Sequence, residues 1–199
     1  MSNDTITVVP FEPAHTEELV ALFEREDNRC FCRYFHFSGD KHAWQDRLAN
    51  APDQNRAELV TRARAGSREA RGVIALEPTT GRAVGWLKVS RASDLDKLYQ
   101  QRLYRGLPCF DRPTQGVFTL GCFFVDSAYH GRGLSRELIR AGVAFARSQG
   151  ATSVEALPRG ELAQSPHERW LGRPSALLAE GFQVVHDFAP YPVLRLVLP

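Results

Sequence analysis

The chemistry of this chain is concentrated where glycines meet charge. His130, Gly131, Arg132, Gly133, Leu134 and Ser135 form a Gly-rich bend between an apolar run over residues 117–125 and an amphipathic stretch over residues 133–148. A strand that ends in such a bend and continues as a helix makes an anion site. The first helical turn has backbone N–H groups with no partner inside the helix, and the helix dipole adds partial positive charge there. Glycine lets that backbone approach a phosphate with no Cβ in the way. The expected ligand therefore carries a phosphate or pyrophosphate, and the strand beside the bend holds the rest of it. Arg132 and Arg136 stand where they add charge, and His130 where it caps the turn or bonds to phosphate.

The thiols are the other reactive group. Cys30, Cys32, Cys109 and Cys122 are the four cysteines, and the N-terminal MSNDTITVVP has neither the basic leader nor the apolar core of an export signal. Reduced thiols in a cytoplasmic setting are the expectation. Cys30 and Cys32 offer two metal ligands, but no second pair matches them, and His36 and His42 are spaced for no common zinc site. No metal is expected, and the cysteines read as structural or pocket-lining. A net charge of +2 gives no reason to expect nucleic acid. No apolar run approaches the ~20 residues that span a bilayer, so no membrane partner is expected.

Periodicity supplies the elements that position these residues. Residues 6–9 read as a strand stopped by Pro10, and residues 16–25 as a helix with Thr16 as its N-cap. Residues 28–40 are irregular and aromatic, and residues 41–65 read as one or two helices broken near Pro52. Residues 71–76 and 83–89 flank Thr79-Thr80-Gly81 as a hairpin. Residues 93–105 have apolar side chains roughly at helical spacing, and residues 106–116 form a loop. Residues 117–125 and 153–157 are strands joined by the helix over residues 133–148, which makes them parallel. A polar loop over residues 159–168, a short helix between Pro174 and Gly181, and a hairpin of residues 182–187 and 193–197 complete the chain. The result is an α+β architecture, a mixed sheet with helices on both faces.

The bend resembles the acyl-CoA signature of the GNAT superfamily of N-acetyltransferases. That signature is Arg or Gln, two residues, Gly, one residue, then Gly or Ala, after a strand and a turn. His130, Gly133 and Ser135 stand at those positions: the central glycine is kept, His replaces the first residue and Ser the last. Gly85-Trp86, Cys122-Phe123-Phe124-Val125, Phe145-Ala146-Arg147-Ser148-Gln149-Gly150, Leu171-Gly172-Arg173-Pro174-Ser175 and Glu180-Gly181-Phe182 follow in the family's order. With Cys30-Phe31-Cys32-Arg33-Tyr34 they look like a bacterial GNAT subgroup whose substrates are largely unassigned.

The resemblance implies one GNAT domain over residues 1–199, with a mixed, mostly antiparallel central sheet. It implies acetyl-CoA as co-substrate and an acetyl group moved to a primary amine by direct attack in a ternary complex. The two parallel strands should splay near Val125 and Leu157, with the pantetheine arm in the gap. Backbone groups of Phe124 and Val125 should pair with its amides, and the N–H groups of Gly131, Arg132, Gly133, Leu134 and Ser135 should hold the pyrophosphate. Acyl transfer also needs a proton acceptor for the amine and a donor for the departing thiolate. Glu155, in mid-strand beside the cleft, is the expected base, directly or through water. Ser175 is placed to orient water or the leaving sulfur. Many members carry a Tyr four residues before the Gly of the final Gly-Phe; Leu177 stands there and cannot donate. A strand N–H near Phe124 is the expected oxyanion donor.

The acceptor, a small molecule or a peptide amine, should meet the aromatic and thiol residues 30–37, with residues 99–111 long enough to cover it. Phe31, Phe35 and Trp86 read better as core. Two alternatives stand beside the transferase: a non-catalytic acyl-CoA-binding module, and a toxin-like or antibiotic-modifying acetyltransferase. A homodimer is compatible with the superfamily.

Overall fold

The computed structural model describes residues 6–160 and 170–199; most of the polar loop expected over residues 159–168 lies outside them. Seven strands form one sheet: β1 (Thr7–Pro10), β2 (Gly72–Leu76), β3 (Ala83–Arg91), β4 (Val117–Val125), β5 (Ser153–Ala156), β6 (Gln183–His186) and β7 (Val193–Val197). Their spatial order is β1-β2-β3-β4-β5-β7-β6, and every neighbouring pair is antiparallel except β4 and β5. The parallel pair is the one joined through α5 (Leu134–Ser148), because a helix of that length returns the chain to the same end of the sheet.

Both faces are covered, which is why β3 reads as nearly continuous burial rather than alternation. Alternate residues still part company. Trp86 packs with Leu19, Leu22 and Phe23 of α1 (Thr16–Arg25) and Leu59 of α3 (Pro52–Arg64), while Leu87 and Val89 pack with Leu138 and Ile139 of α5. Gly142 sets the closeness of α5 to the sheet: a Cβ there would lie 2.8 Å from Leu87 Cδ2. Leu177 of α6 (Pro174–Leu178) joins the α5 side of the core. Pro52 breaks the expected long helix as its sequence suggests, into α2 (Lys41–Asn50) and α3.

Two expectations shift. Thr16 is the first residue of α1 rather than its cap; His15 precedes it, and the Thr16 hydroxyl donates to Pro13 O at 2.6 Å. Of residues 93–105 only α4 (Asp96–Tyr99) is α-helical. A single turn is all that forms, since Tyr99 is drawn down to the sheet, where its hydroxyl meets Thr119 and Glu155.

Candidate active site

The site grows out of two irregularities in β4. The register against β3 slips between Leu87 and Val89, so Gly121 and Cys122 together oppose Lys88 in a β-bulge. The parallel pairing with β5 stops at Leu120 opposite Ala156, although β4 runs on to Val125. From Gly121 onward β4 therefore has β3 on one side and a gap on the other.

Alternation fixes which backbone groups face that gap. The Asp126 N–H donates to Val84 O in β3 at 3.0 Å, and Phe124 pairs with Trp86, so the N–H and C=O of Phe124 belong to the β3 ladder. Those of Phe123 and Val125 point into the gap. There the Phe123 N–H donates to Trp170 O at 2.7 Å, and a ring nitrogen of His130 lies 3.0 Å from Val125 O. The polar backbone of Val125 thus faces the gap. Phe123, which sequence reasoning passed over, shares that side, while Phe124 presents its ring rather than its backbone, against Phe23 at 5.2 Å.

Beyond Val125 the chain turns through Ser127–Tyr129 and reaches the bend. Gly131 has φ +75° and Gly133 φ +81°, the left-handed region that favours glycine. A Cβ on either would meet nothing within 4 Å, so the bend is open on its outer side. Among the described residues no backbone or side-chain acceptor takes the N–H of Gly131, Arg132, Gly133, Leu134 or Ser135. Five unclaimed donors at the start of a 15-residue helix fit a pyrophosphate. Arg132 is exposed and stacks over Tyr129 at 5.1 Å, while Arg136 is committed to Glu180 at 2.6 Å. Of the two arginines, Arg132 is the one free to reach a phosphate.

Glu155 lies at the vertex of the splay, opposite Thr119 in the parallel register, and is 1% exposed. Its Oε1 accepts from Arg112 Nη2 at 2.6 Å and from Arg195 Nε and Nη2 at 3.0 and 2.7 Å. Its Oε2 accepts from the Tyr99 hydroxyl at 2.7 Å. Burial, and then the Glu155 charge, hold the Tyr99 hydroxyl well above its ordinary range, so it stays a proton donor. Both carboxylate oxygens are occupied. Arg195 announces itself in sequence as a charge inside the apolar run Val193–Val197; Tyr99, at the end of the single turn α4, and Arg112, in an irregular segment, carry no such signal.

Ser175 is exposed in the first turn of α6, with no side-chain hydrogen bond among those seen. Leu177 is fully buried in the α5 core, so a side chain at this position of the chain points away from the gap.

A thiol cluster backs the bulge. Cys32 Sγ accepts from Trp86 Nε1 at 3.5 Å. Burial opposes its ionisation, but the Cys122 thiol, the Lys88 ammonium and the Trp86 N–H outweigh burial and hold Cys32 below the ordinary thiol range. Cys122, donating to Cys32, is held well above it. Cys30 is pushed up to about 11 by burial and by Cys32. All four cysteines are free, and among the described residues no three His, Cys, Asp or Glu are grouped to hold a metal ion. Phe31, Phe35 and Trp86 are buried in the core.

No curated protein matches the chain in sequence. Solved structures do match its fold. The ribosomal-protein-S5-alanine acetyltransferase of Vibrio fischeri is 11% identical with a TM-score of 0.56, over 99% of this chain and 95% of that one. A Salmonella typhimurium protein solved with its cofactor acetyl-CoA is 16% identical with a TM-score of 0.54, over 98% and 95%. The paia N-acetyltransferase of Thermoplasma acidophilum, in complex with coenzyme A, is 8% identical with a TM-score of 0.52, over 98% and 99%. These likenesses show the fold. The family itself comes from the model of the acetyltransferase (GNAT) family, which matches residues 9–172 and so takes in the splay, the bulge and the bend: the chain belongs to the GNAT acetyltransferases.

Proposed function

We propose that this protein is an N-acetyltransferase of one domain over residues 1–199, which moves an acetyl group from acetyl-CoA to a primary amine by direct attack in a ternary complex. The observation that carries the reading is the set of N–H groups from Gly131 through Ser135 with no acceptor among the described residues, next to a gap side of β4 whose polar backbone is held only by Trp170 O and a His130 ring nitrogen. Val125 offers pairing to the pantetheine amides, and the N–H groups from Gly131 through Ser135 offer donors to the pyrophosphate. In this reading Phe123 supplies the oxyanion donor. Its N–H faces the gap two residues before Val125, beside the bulge, and is freed when Trp170 O withdraws. The four free thiols favour a cytoplasmic setting. Among the described residues no helix is long and apolar enough to cross a membrane.

We assign Glu155 to positioning. Proton acceptance there would require one of its donors to leave, whereas as it stands the carboxylate fixes Tyr99, Arg112 and Arg195 at the vertex of the splay. Ser175, exposed at the start of α6, remains available to orient water or the leaving sulfur. A second reading, a non-catalytic acyl-CoA-binding module, draws on the burial of Leu177, which leaves no general acid at that position.

Thermal unfolding with and without acetyl-CoA tests the common part. At a hundredfold excess over Kd, binding adds about 2.7 kcal/mol of stability. Gly133→Glu should lose that shift, since it places a carboxylate at the anion site and a side chain at φ +81°. Release of free CoA thiol in the presence of an amine panel then separates enzyme from binding module. A missing shift at millimolar acetyl-CoA would sink both readings.

A further inference from the structure

Trp170, Leu171 and Gly172 cross the mouth of the splay. The Trp170 ring packs on Phe35 at 5.3 Å and on Tyr34 at 5.8 Å, and Leu171 joins the core on that same α1 side of the sheet. Gly172 meets the other side: a Cβ on it would lie 2.9 Å from the Phe123 ring, which packs in the α5 core. The strip therefore passes from one face to the other at the stretch of β4 that β5 has left unpaired. Gly172 suits that passage twice over, through a φ of +87° and through the missing Cβ.

The strip holds β4 lightly. Among the described residues its one backbone hydrogen bond is the 2.7 Å bond that the Phe123 N–H donates to Trp170 O. The rest of its hold among those residues is packing, by the Trp170 ring, Leu171 and Gly172.

A carbonyl at that place is also what an acyl donor brings. The Phe123 N–H has one proton to give, so Trp170 O and a thioester oxygen are alternative acceptors for it. Exchanging one for the other leaves the number of hydrogen bonds unchanged. The balance is then set by packing, the Trp170 ring on Tyr34 and Phe35 against the pantetheine arm on β4.

We propose that this strip is a built-in competitor of the acyl group: the site is shut while Trp170 O sits on the Phe123 N–H, and acetyl-CoA binds as Trp170 O and Gly172 move off β4. The proposal rests on the acetyltransferase reading above. A shut state that outweighs the open one tenfold weakens the apparent affinity about tenfold, and a change that unseats the strip recovers that factor.

Two substitutions unseat it by different routes. Trp170→Ala removes the anchoring ring and keeps the carbonyl, whereas Gly172→Ala drives a methyl group at the Phe123 ring from a backbone of φ +87°. In titration calorimetry each variant should bind acetyl-CoA about three- to tenfold more tightly than the wild type. Adenosine 3′-phosphate 5′-diphosphate carries the pyrophosphate without the pantetheine arm or the thioester, and should bind all three proteins alike. In the wild type, acetyl-CoA should shift the Trp170 fluorescence, read as the difference from Trp170→Phe, and the nucleotide should not. Acetyl-CoA affinity unchanged or weakened in both variants, with nucleotide binding retained, would overturn the proposal. Should the variants lose nucleotide binding through misfolding, the wild-type fluorescence decides, and equal responses to the two ligands would overturn it. Binding of neither ligand by the wild type would sink the acetyltransferase reading and the proposal with it, whereas binding of both with no response of the strip sinks the proposal alone.

Discussion

Phe31 at φ +46° and Cys32 at φ +58° hold left-handed backbone without being glycine, a cost of roughly 1–3 kcal/mol each. Such strain persists only where surroundings over-determine it, and here the Cys32 sulfur is fixed by Trp86, Cys122 and Lys88. The thiolate absorbance near 240 nm should therefore titrate below the ~8.5 of a free thiol. Cys32→Ser should abolish that step, and Cys122→Ala, which removes the thiol donor, should move it up; a midpoint at or above the free-thiol value would discard the account. His36 gives a stability prediction with a definite sign. Its folded value of about 3 lies below the ordinary 6.5, so between those limits the unfolded chain binds more protons. The contribution is whole above about 6.5 and is lost as pH falls toward 3. Urea midpoints should drop from pH 7 to pH 5 in the wild type, and less in His36→Gln; parallel drops would count against it.

At the scale of elements, α5 was the easiest to read. Its apolar stripe has a 3.6-residue period, Gly133 and Gly150 mark its ends, and it forms over Leu134–Ser148. The sequence does not reveal that Gly142 is the point of closest approach, because a glycine inside a helix carries no label of what it faces. Gly142→Leu should overpack against Leu87, Val89 and Leu120 and cost about 1–3 kcal/mol in urea unfolding. A variant as stable as the wild type would mean that α5 can lift without loss. The segment around α4 misled for the opposite reason: apolar spacing is there, but contacts from Tyr99 to Thr119 and Glu155 override local preference. The bend was legible because one short stretch carries it. The gap side of β4 was only partly legible, since the bulge at Gly121–Cys122 decides which of Phe123, Phe124 and Val125 faces β3.

Over the whole molecule, the vertex of the splay is held by residues far apart in sequence. Tyr99, Arg112, Thr119, Glu155 and Arg195 come from the segment crossing the sheet, from β4, from β5 and from β7, and Arg195 also reaches Cys109 O. No pattern along the chain announces this meeting; only an acidic residue in β5 and a basic one in β7, each inside an apolar strand, hint at it. Removing one partner of a buried ion pair costs about 3–5 kcal/mol, because the other charge is left unpaired. Glu155→Gln strands both guanidiniums beside a neutral amide, so it should lower stability by about that much. Acetyl-CoA binding at the bend, which shares none of these contacts, should persist at temperatures where the variant stays folded. The kinetic readout then distinguishes the two roles for Glu155. As a positioning residue it should lower kcat through a displaced Tyr99 and leave the shape of the pH–rate profile intact. Were it the base, the variant would lose the limb of that profile that reports deprotonation of the acceptor system. Loss of that limb with stability unchanged would return Glu155 to the chemistry of the amine.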